Sequence, residues 1–313
     1  MRIVVTGANG FIGSKLSHEL EKQGHLVKKV QRRIEKNVYV IKSLNKFTNW
    51  REILKDVDVV IHCASITHES AQNKDERVFR SVNIEAFQHL IDSSIEAKVK
   101  KIIYLSSIKA IGNRTTGNNF YDSNSVCMPS DLYGITKLEA ENILKKSSLE
   151  NCFDYVIIRP CLVYGPGVKA NFLNLIKLID RKIPLPFKDI KNSRSILFLD
   201  NLISFIIECI KNKKASKKIF VLSDPNPLST TELIKLIAQK LKVKVMLIKI
   251  PPFILIIFSK LICKRNQVER LLSSLVIDSF EGPRILDWEH PFTTKAGIKE
   301  TIEWYKFQQL KTK

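Results

Sequence analysis

The 313-residue chain has no C-x-x-C pair and no Cys/His cluster at zinc-ligand spacing. Its six cysteines, at 63, 127, 152, 161, 209 and 263, are scattered. That excludes a zinc module or a disulfide scaffold and predicts reduced cysteines, mostly in the core, of a cytoplasmic protein. No metal is expected. There is no internal repeat and no low-complexity linker, and no signal or transit segment is expected ahead of the first strand. Acidic residues are in deficit, with 31 Asp and Glu against 51 Lys and Arg and a net charge of +20. The lysines run along the whole chain without a basic tail or an arginine-rich stretch interleaved with aromatics. Nucleic acid is therefore not expected as a partner, and the charge suits an anionic substrate. No apolar run approaches the roughly 20 residues that span a bilayer. The longest, P-P-F-I-L-I-I-F at 251–258, is bracketed by Lys249 and Lys260. It predicts a packed helix with proline in its first turn. Lys260, Lys264 and Arg265 nearby leave peripheral contact with a membrane open.

With 44% hydrophobic and 26% charged residues the chain can bury a large core. Through the first half, strand-like runs (2–6, 26–30, 37–41, 58–62, 101–105, 154–158) alternate with helical patterns (11–23, 49–55, 75–97, 131–147). This predicts an α/β fold, a Rossmann-like doubly wound parallel sheet with helices on both faces. Ligands of such sheets lie beyond the carboxyl ends of the strands. The segments that matter most are then Gly7 to Gly13, Ala64-Ser65, Ser106-Ser107 and Pro160 to Gly167. After about 165 the pattern changes to helices near 171–181, 201–212, 230–241 and 293–309. Short strands separate them near 195–199, 218–222 and 244–249. Residues 1–165 are expected to bind the dinucleotide, and 166–313 to form mainly a smaller substrate-binding lobe over the sheet's carboxyl edge.

Two motifs carry chemistry. The first strand, R-I-V-V-T, runs into Gly7-Ala8-Asn9-Gly10-Phe11-Ile12-Gly13 and then a helical pattern. A glycine turn between a buried strand and a helix lets the backbone approach a pyrophosphate, and the new helix offers it free N–H groups. The second motif is Tyr133-Gly134-Ile135-Thr136-Lys137, with Tyr133 and Lys137 on one helix face about a quarter of a hundred residues after Ser106-Ser107. A phenol is too weakly acidic to serve as a base at neutral pH. A nearby ammonium and an oxidised nicotinamide favour the phenolate. A serine hydroxyl can hold the substrate oxygen while the tyrosine moves its proton.

Together these motifs resemble the extended short-chain dehydrogenases/reductases, in their nucleotide-sugar epimerase, dehydratase and reductase branch. The likeness spans nearly the whole chain. It rests on T-G-A-N-G-F-I-G at 6–13, D-V-V-I-H-C-A-S at 58–65, V-N at 82–83, L-S-S at 105–107, Y-G-I-T-K at 133–137 and R-P-C-L-V-Y-G-P-G at 159–167. The resemblance implies a catalytic Ser107, Tyr133 and Lys137, the last two also touching the cofactor. It implies a cofactor site of Gly7, Gly10, Phe11, Ile12 and Gly13, with Ala64 along the cofactor and Asn83 shaping that wall. It implies sugar-nucleotide contacts from Ser107, Asn171 and Arg194, and from Arg270 as a weaker phosphate candidate. Otherwise either arginine is a solvated surface charge. A UDP-sugar substrate and a homodimer are expected.

Departures narrow the reaction. The 4,6-dehydratases carry an acidic pair after the residue that Ser107 matches. Here Ile108 and Lys109 stand there, which argues against dehydration, and Lys109 is either a substrate contact or plain surface. The second strand ends in Val30-Gln31-Arg32-Arg33 instead of on the acid that would hold the ribose of NAD. Gln31 and Arg32 lean towards NADP while leaving NAD open. Ser43-Leu44 replaces the usual Asp-Leu on the adenine side. The stretch 164–175 with S-S-I-K at 106–109 looks most like enzymes of bacterial surface-polysaccharide (lipopolysaccharide, O-antigen) clusters. The leading expectation is 4-keto reduction of a UDP-N-acetylhexosamine to a 6-deoxy sugar such as UDP-N-acetylquinovosamine. The alternative is 4-epimerisation of UDP-glucose or UDP-N-acetylglucosamine. A non-catalytic NADP sensor is a third reading, against which the intact Ser107, Tyr133 and Lys137 argue.

Overall fold

The computed structural model describes residues 1–67, 75–261 and 265–311. Seven strands form one parallel sheet in the order β3-β2-β1-β4-β5-β6-β9. They are β1 (Arg2–Thr6), β2 (Leu26–Gln31), β3 (Tyr39–Val40), β4 (Val59–His62), β5 (Lys101–Leu105), β6 (Asp154–Pro160) and β9 (Lys218–Leu222). The order reverses between β1 and β4, so their carboxyl ends open a crevice.

Both faces are covered, and the middles of the central strands are unbroken apolar runs because of it. Ile3, Val5, Val59, Ile61, Ile103, Leu105, Val156 and Ile158 point to one face. There they meet Leu16 and Leu20 of α1 (Phe11–Lys22) and Leu202, Phe205 and Ile206 of α7 (Leu199–Lys211). Val4, Val60, Ile102, Tyr104 and Ile157 point to the other. They meet Ile53 and Leu54 of α2 (Arg51–Leu54), Phe87, Leu90 and Ile91 of α4 (Ala86–Glu96), and Ala140 and Leu144 of α5 (Leu132–Asn151).

A third cluster lies in the second half of the chain. It joins α6 (Ala170–Asp180), α8 (Thr230–Leu241) and α12 (Thr294–Lys311) to a two-stranded parallel ribbon, β7 (Leu162–Tyr164) with β8 (Ile196–Phe198). Asp224 anchors this unit, accepting from Asn201 Nδ2 at 2.8 Å, Tyr164 Oη at 3.0 Å and the Phe198 amide at 3.2 Å.

Three expectations change. The strand at 218–222, expected in the smaller lobe, is the seventh strand of the main sheet, paired with β6 from Val156↔Lys218 to Pro160↔Leu222. With α7 it returns the chain to the dinucleotide-fold layer. The strand expected at 244–249 is absent, since the segment's partner, near Leu185, reaches it only in one bridge to Leu247. The long helix expected at 75–97 is broken into α3 (Glu76–Arg80), a π turn (Ser81–Glu85) and α4. The apolar run at 251–258 lies in α9 (Pro252–Leu261). It is packed on one side only, with Leu255 buried and Phe253, Ile257 and Phe258 exposed. Lys264 and Cys263 lie outside the described residues.

One buried ion pair ties the layers together. Glu141 of α5 accepts from Arg159 of β6 at 2.6 and 3.0 Å, and from Ser106 Oγ at 2.5 Å. Both charged residues are fully enclosed. Removing one partner of a buried pair costs about 3–5 kcal/mol because the other is left uncompensated. Glu141→Ala is therefore expected to lower unfolding stability by about that amount in urea melts. A loss of under about 1 kcal/mol, the scale of an exposed pair, would contradict the tie.

Candidate active site

The site is built at the carboxyl edge of β1, β4 and β5. Gly10 caps the start of α1 and donates to Gly7 O at 2.8 Å, folding the turn onto itself. A Cβ at Gly13 would stand 2.3 Å from Gly7 O, so only glycine allows α1 to start this close to the strand end. Ala64 lies directly against Gly7. Phe11 and Ile12 open α1 half-buried on the core, with the Phe11 ring facing Gly167. No acid occupies the first turn of α1. The free N–H groups there suit an anion; Lys169, Lys15 and Asp200 line the adjoining cleft, the last two paired at 3.4 Å. This cradle fits a dinucleotide pyrophosphate.

At the adenosine end Gln31 is buried, and its Nε2 donates to Arg33 O at 3.0 Å. Arg32 and Arg33 are exposed beside it. Asn83 sits in the π turn. Its amide exchanges hydrogen bonds with the Ile66 backbone, at 2.9 and 3.1 Å, and donates to Thr136 Oγ1 at 3.1 Å. It holds the Ile66 backbone in place after β4.

Three α5 residues share one face at intervals of four: Tyr133, Lys137 and Glu141. Asp131 starts the helix by accepting from the Gly134 amide at 2.9 Å. A Cβ at Gly134 would lie 2.3 Å from Lys109 O, so glycine lets α5 press onto the turn that carries Ser107. The Tyr133 hydroxyl hydrogen-bonds the side chains of Ser65 and Ser107. Lys137 Nζ donates to Leu105 O at 2.8 Å and lies 5.8 Å from the Tyr133 ring centre. The structure thus brings Ser107, Tyr133 and Lys137 together.

Burial pushes the Tyr133 phenol up to about 12. Asp131 adds to this, against the hydrogen bonds from Ser65 and Ser107. Burial pushes Lys137 down to about 8, opposed by Cys63 and Glu141. His62 is held neutral, pushed down to about 3 by burial and then by Lys137. It bonds Thr6 Oγ1 at 2.9 Å. Lys109 pairs with Asp131 at 2.6 Å and Ile108 is buried, so no carboxylate stands at positions 108 and 109.

Arg194 is not a solvated surface charge. Its guanidinium donates to Ser273 O and Oγ at 2.9 and 3.1 Å. Burial pushes it down to about 10, opposed by Cys161 and reinforced by Arg270. Arg270, on α10 (Arg265–Leu272), is half-buried near enough to repel it. Asn171 is exposed in the first turn of α6.

Sequence reading marked Ser65 only as a strand-end position and gave no role to Glu141, Arg159 or Thr136. A chemical signal for Glu141 exists, an acid on the apolar side of α5 four residues past Lys137. Nothing local marks Ser65.

A parallel sheet ending in a glycine cradle, with serine, tyrosine and lysine clustered beside it, defines an enzyme of the extended short-chain dehydrogenase/reductase type. The model of the NAD dependent epimerase/dehydratase family matches residues 3–223, and the chain belongs to that family. Its cofactor is accordingly a nicotinamide dinucleotide. A UDP-glucose 4-epimerase of Vibrio cholerae is 34% identical over 309 residues, 96% of this chain and 94% of that protein. An N-acetyl-alpha-D-glucosaminyl-diphospho-ditrans,octacis-undecaprenol 4-epimerase of Escherichia coli O157:H7 is 22% identical over 330 residues, 99% and 96% of the two chains. The crystal structure of a UDP-glucuronic acid 4-epimerase from Bacillus cereus in complex with NAD superposes with a TM-score of 0.81 at 21% identity. It covers 98% of this chain and 99% of its own, and the likeness is one of fold.

Ser65 hydrogen-bonds the phenol in a way that favours the phenolate. Ser65→Ala should therefore raise the kinetic pKa of the tyrosine and lower kcat for alcohol oxidation at neutral pH by about tenfold or more, the scale of a hydrogen bond to a charged group. KM for the sugar should hardly move. A pH profile superimposable on that of the wild type would remove Ser65 from the site.

Proposed function

We propose that the protein is a 4-epimerase of a UDP-hexose or UDP-N-acetylhexosamine. Residues 1–165 hold the dinucleotide, and 166–313 mainly hold the sugar nucleotide. The observation that carries the reading is the Ser107–Tyr133–Lys137 cluster with Ile108 and Lys109 where a dehydratase has acids. The Vibrio cholerae relative supports the same chemistry.

Tyr133 takes the proton of the sugar O4 hydroxyl as the C4 hydride departs, and returns it when hydride comes back. Ser107 holds O4. Lys137 places a cation beside the phenol and favours its ionised form. A bound nicotinamide supplies the hydride acceptor and donor. Arg194, with Arg270 and Asn171, holds the UDP so that the hexose can turn between the two transfers. A guanidinium fork suits a diphosphate. The product feeds surface-polysaccharide synthesis.

A second reading is 4-keto reduction of a UDP-4-keto-6-deoxy-N-acetylhexosamine, and Gln31 with Arg32 favours it. A neutral residue beside two exposed arginines accepts the 2′-phosphate of NADPH, which a reductase consumes at each turnover. The purified protein should be mixed with UDP-glucose, UDP-N-acetylglucosamine and the 4-keto-6-deoxy sugar in turn, following NADPH absorbance and C4 configuration by NMR. Inversion at C4 without net cofactor consumption is expected. One NADPH consumed per 4-keto sugar, with no inversion of the others, would establish the reductase instead.

Two variants test the roles. Tyr133→Phe should retain the fold and cofactor binding while losing at least ~100-fold in turnover, within the range for a positioned acid–base group. Wild-type turnover would sink the assignment. Arg194→Ala should weaken UDP binding by ~1.5–3 kcal/mol, with cofactor affinity little changed. Calorimetry giving unchanged UDP affinity would leave Arg194 a purely structural donor to Ser273.

A further inference from the structure

We propose that α9 and the segment leading into it form a docking face for an anionic membrane surface. This goes beyond the sugar chemistry and does not depend on it. Five large apolar side chains are exposed between 246 and 258. They are Met246 at 62%, Ile248 at 39%, Phe253 at 64%, Ile257 at 56% and Phe258 at 62%. Alternating residues point the other way, as Val243, Val245 and Leu247 pack on the core of the second half and Leu255 is buried in it. Single exposed apolar residues are ordinary, but two phenylalanines and an isoleucine on one ten-residue helix form a patch.

Charge identifies the occupant. From 233 to 268 the chain carries eight lysines and arginines and no aspartate or glutamate. Lys242, Lys244 and Lys249 are exposed beside the patch. Lys188 and Lys191 join Lys249, Pro251 and Pro252 around the hollow at the start of α9. Asp189 is the one acid among the residues lining that hollow, and it faces Lys249 at 3.7 Å. Aromatic and aliphatic side chains ringed by lysines are what an acyl boundary under phosphate headgroups accepts. A protein partner of matching chemistry would have to present apolar and acidic groups together. The helix is about 15 Å long at 1.5 Å per residue, half the thickness of the hydrocarbon layer. It can therefore lie in the interface and cannot cross it. The same hollow includes Leu272 and Ser274, flanking the Ser273 that receives Arg194. Docking would bring that end of the second half close to the lipid surface.

The test is co-sedimentation of the full chain with vesicles of phosphatidylcholine, with and without phosphatidylglycerol, at low and raised salt. Wild type should pellet with the anionic vesicles and be released by salt. Phe253→Gln with Phe258→Gln, and separately Lys242→Glu with Lys244→Glu, should each weaken this by about tenfold or more. Their melting temperatures and cofactor titrations should match wild type. Should the double variants fold poorly, Phe258→Trp provides a second measurement, a blue shift of its fluorescence with anionic vesicles only. No pelleting, equal pelleting with neutral vesicles, or undiminished binding by folded variants overturns the proposal. So does a Phe253→Gln/Phe258→Gln change that alters particle mass in sedimentation instead of vesicle binding, because the patch would then join protein to protein.

Discussion

The enclosed contact between Glu141 and Arg159 is the constraint on which the rest of the site depends. It fastens α5 to β6 through two hydrogen bonds. Ser106 adds a third from the end of β5. A buried ion pair contributes little net stability, because desolvation cancels most of its attraction. Its value is geometric. Glu141 lies one helical repeat beyond Lys137 and two beyond Tyr133, so fixing the rotation of α5 at Glu141 aims the phenol at Ser107 and the ammonium at Leu105 O. Asp131 fixes the same helix at its other end through the Gly134 amide. The polar chemistry is thus held by groups that do not take part in it.

The electrostatics of the cluster follow from its burial. The phenol stands near 12 and the ammonium near 8, so each group has moved toward its neutral form. His62 is held neutral and adds no charge beside Lys137; Lys109 Nζ also stands 5.7 Å from the Tyr133 ring centre, paired with Asp131. A further positive charge brought beside Tyr133 would act on a phenol already desolvated, where Coulomb interactions are stronger than in water.

The parts of this structure legible in the sequence are those whose requirements are local. The glycine turn is visible because the close approach at Gly13 tolerates no side chain, and Tyr133 and Lys137 because helical spacing sets them on one face. The central strands are visible because burial on both sides demands unbroken apolar runs. What stayed hidden depends on distant partners. Lys218–Leu222 reads as a strand from its own residues, but nothing in it says that β6 is its neighbour. Residues 244–249 alternate like a strand, yet lack a partner of matching length. Ser65 acquires its place only because β4 ends where α5 begins, at the same crevice. Arg194 could be a surface charge or a buried one until the Ser273 segment folds over it.

Arg194 then says something about the second half of the molecule. Its guanidinium is largely desolvated and stands within electrostatic reach of Arg270, and among the described residues that guanidinium donates only to Ser273. Two guanidiniums with no carboxylate partner among the described residues repel each other, and a diphosphate between them would relieve that repulsion while matching the planar donors. Under the proposed function such a site would grip the nucleotide end of the substrate. In the proposed epimerisation that is the end that must stay still, because the hexose has to present opposite faces to the same hydride position. Affinity placed on the diphosphate leaves the sugar free to turn, whereas affinity placed on the sugar hydroxyls would oppose the turn. On that proposal the cationic pair and the Ser107–Tyr133–Lys137 cluster would divide binding from chemistry along the length of one substrate.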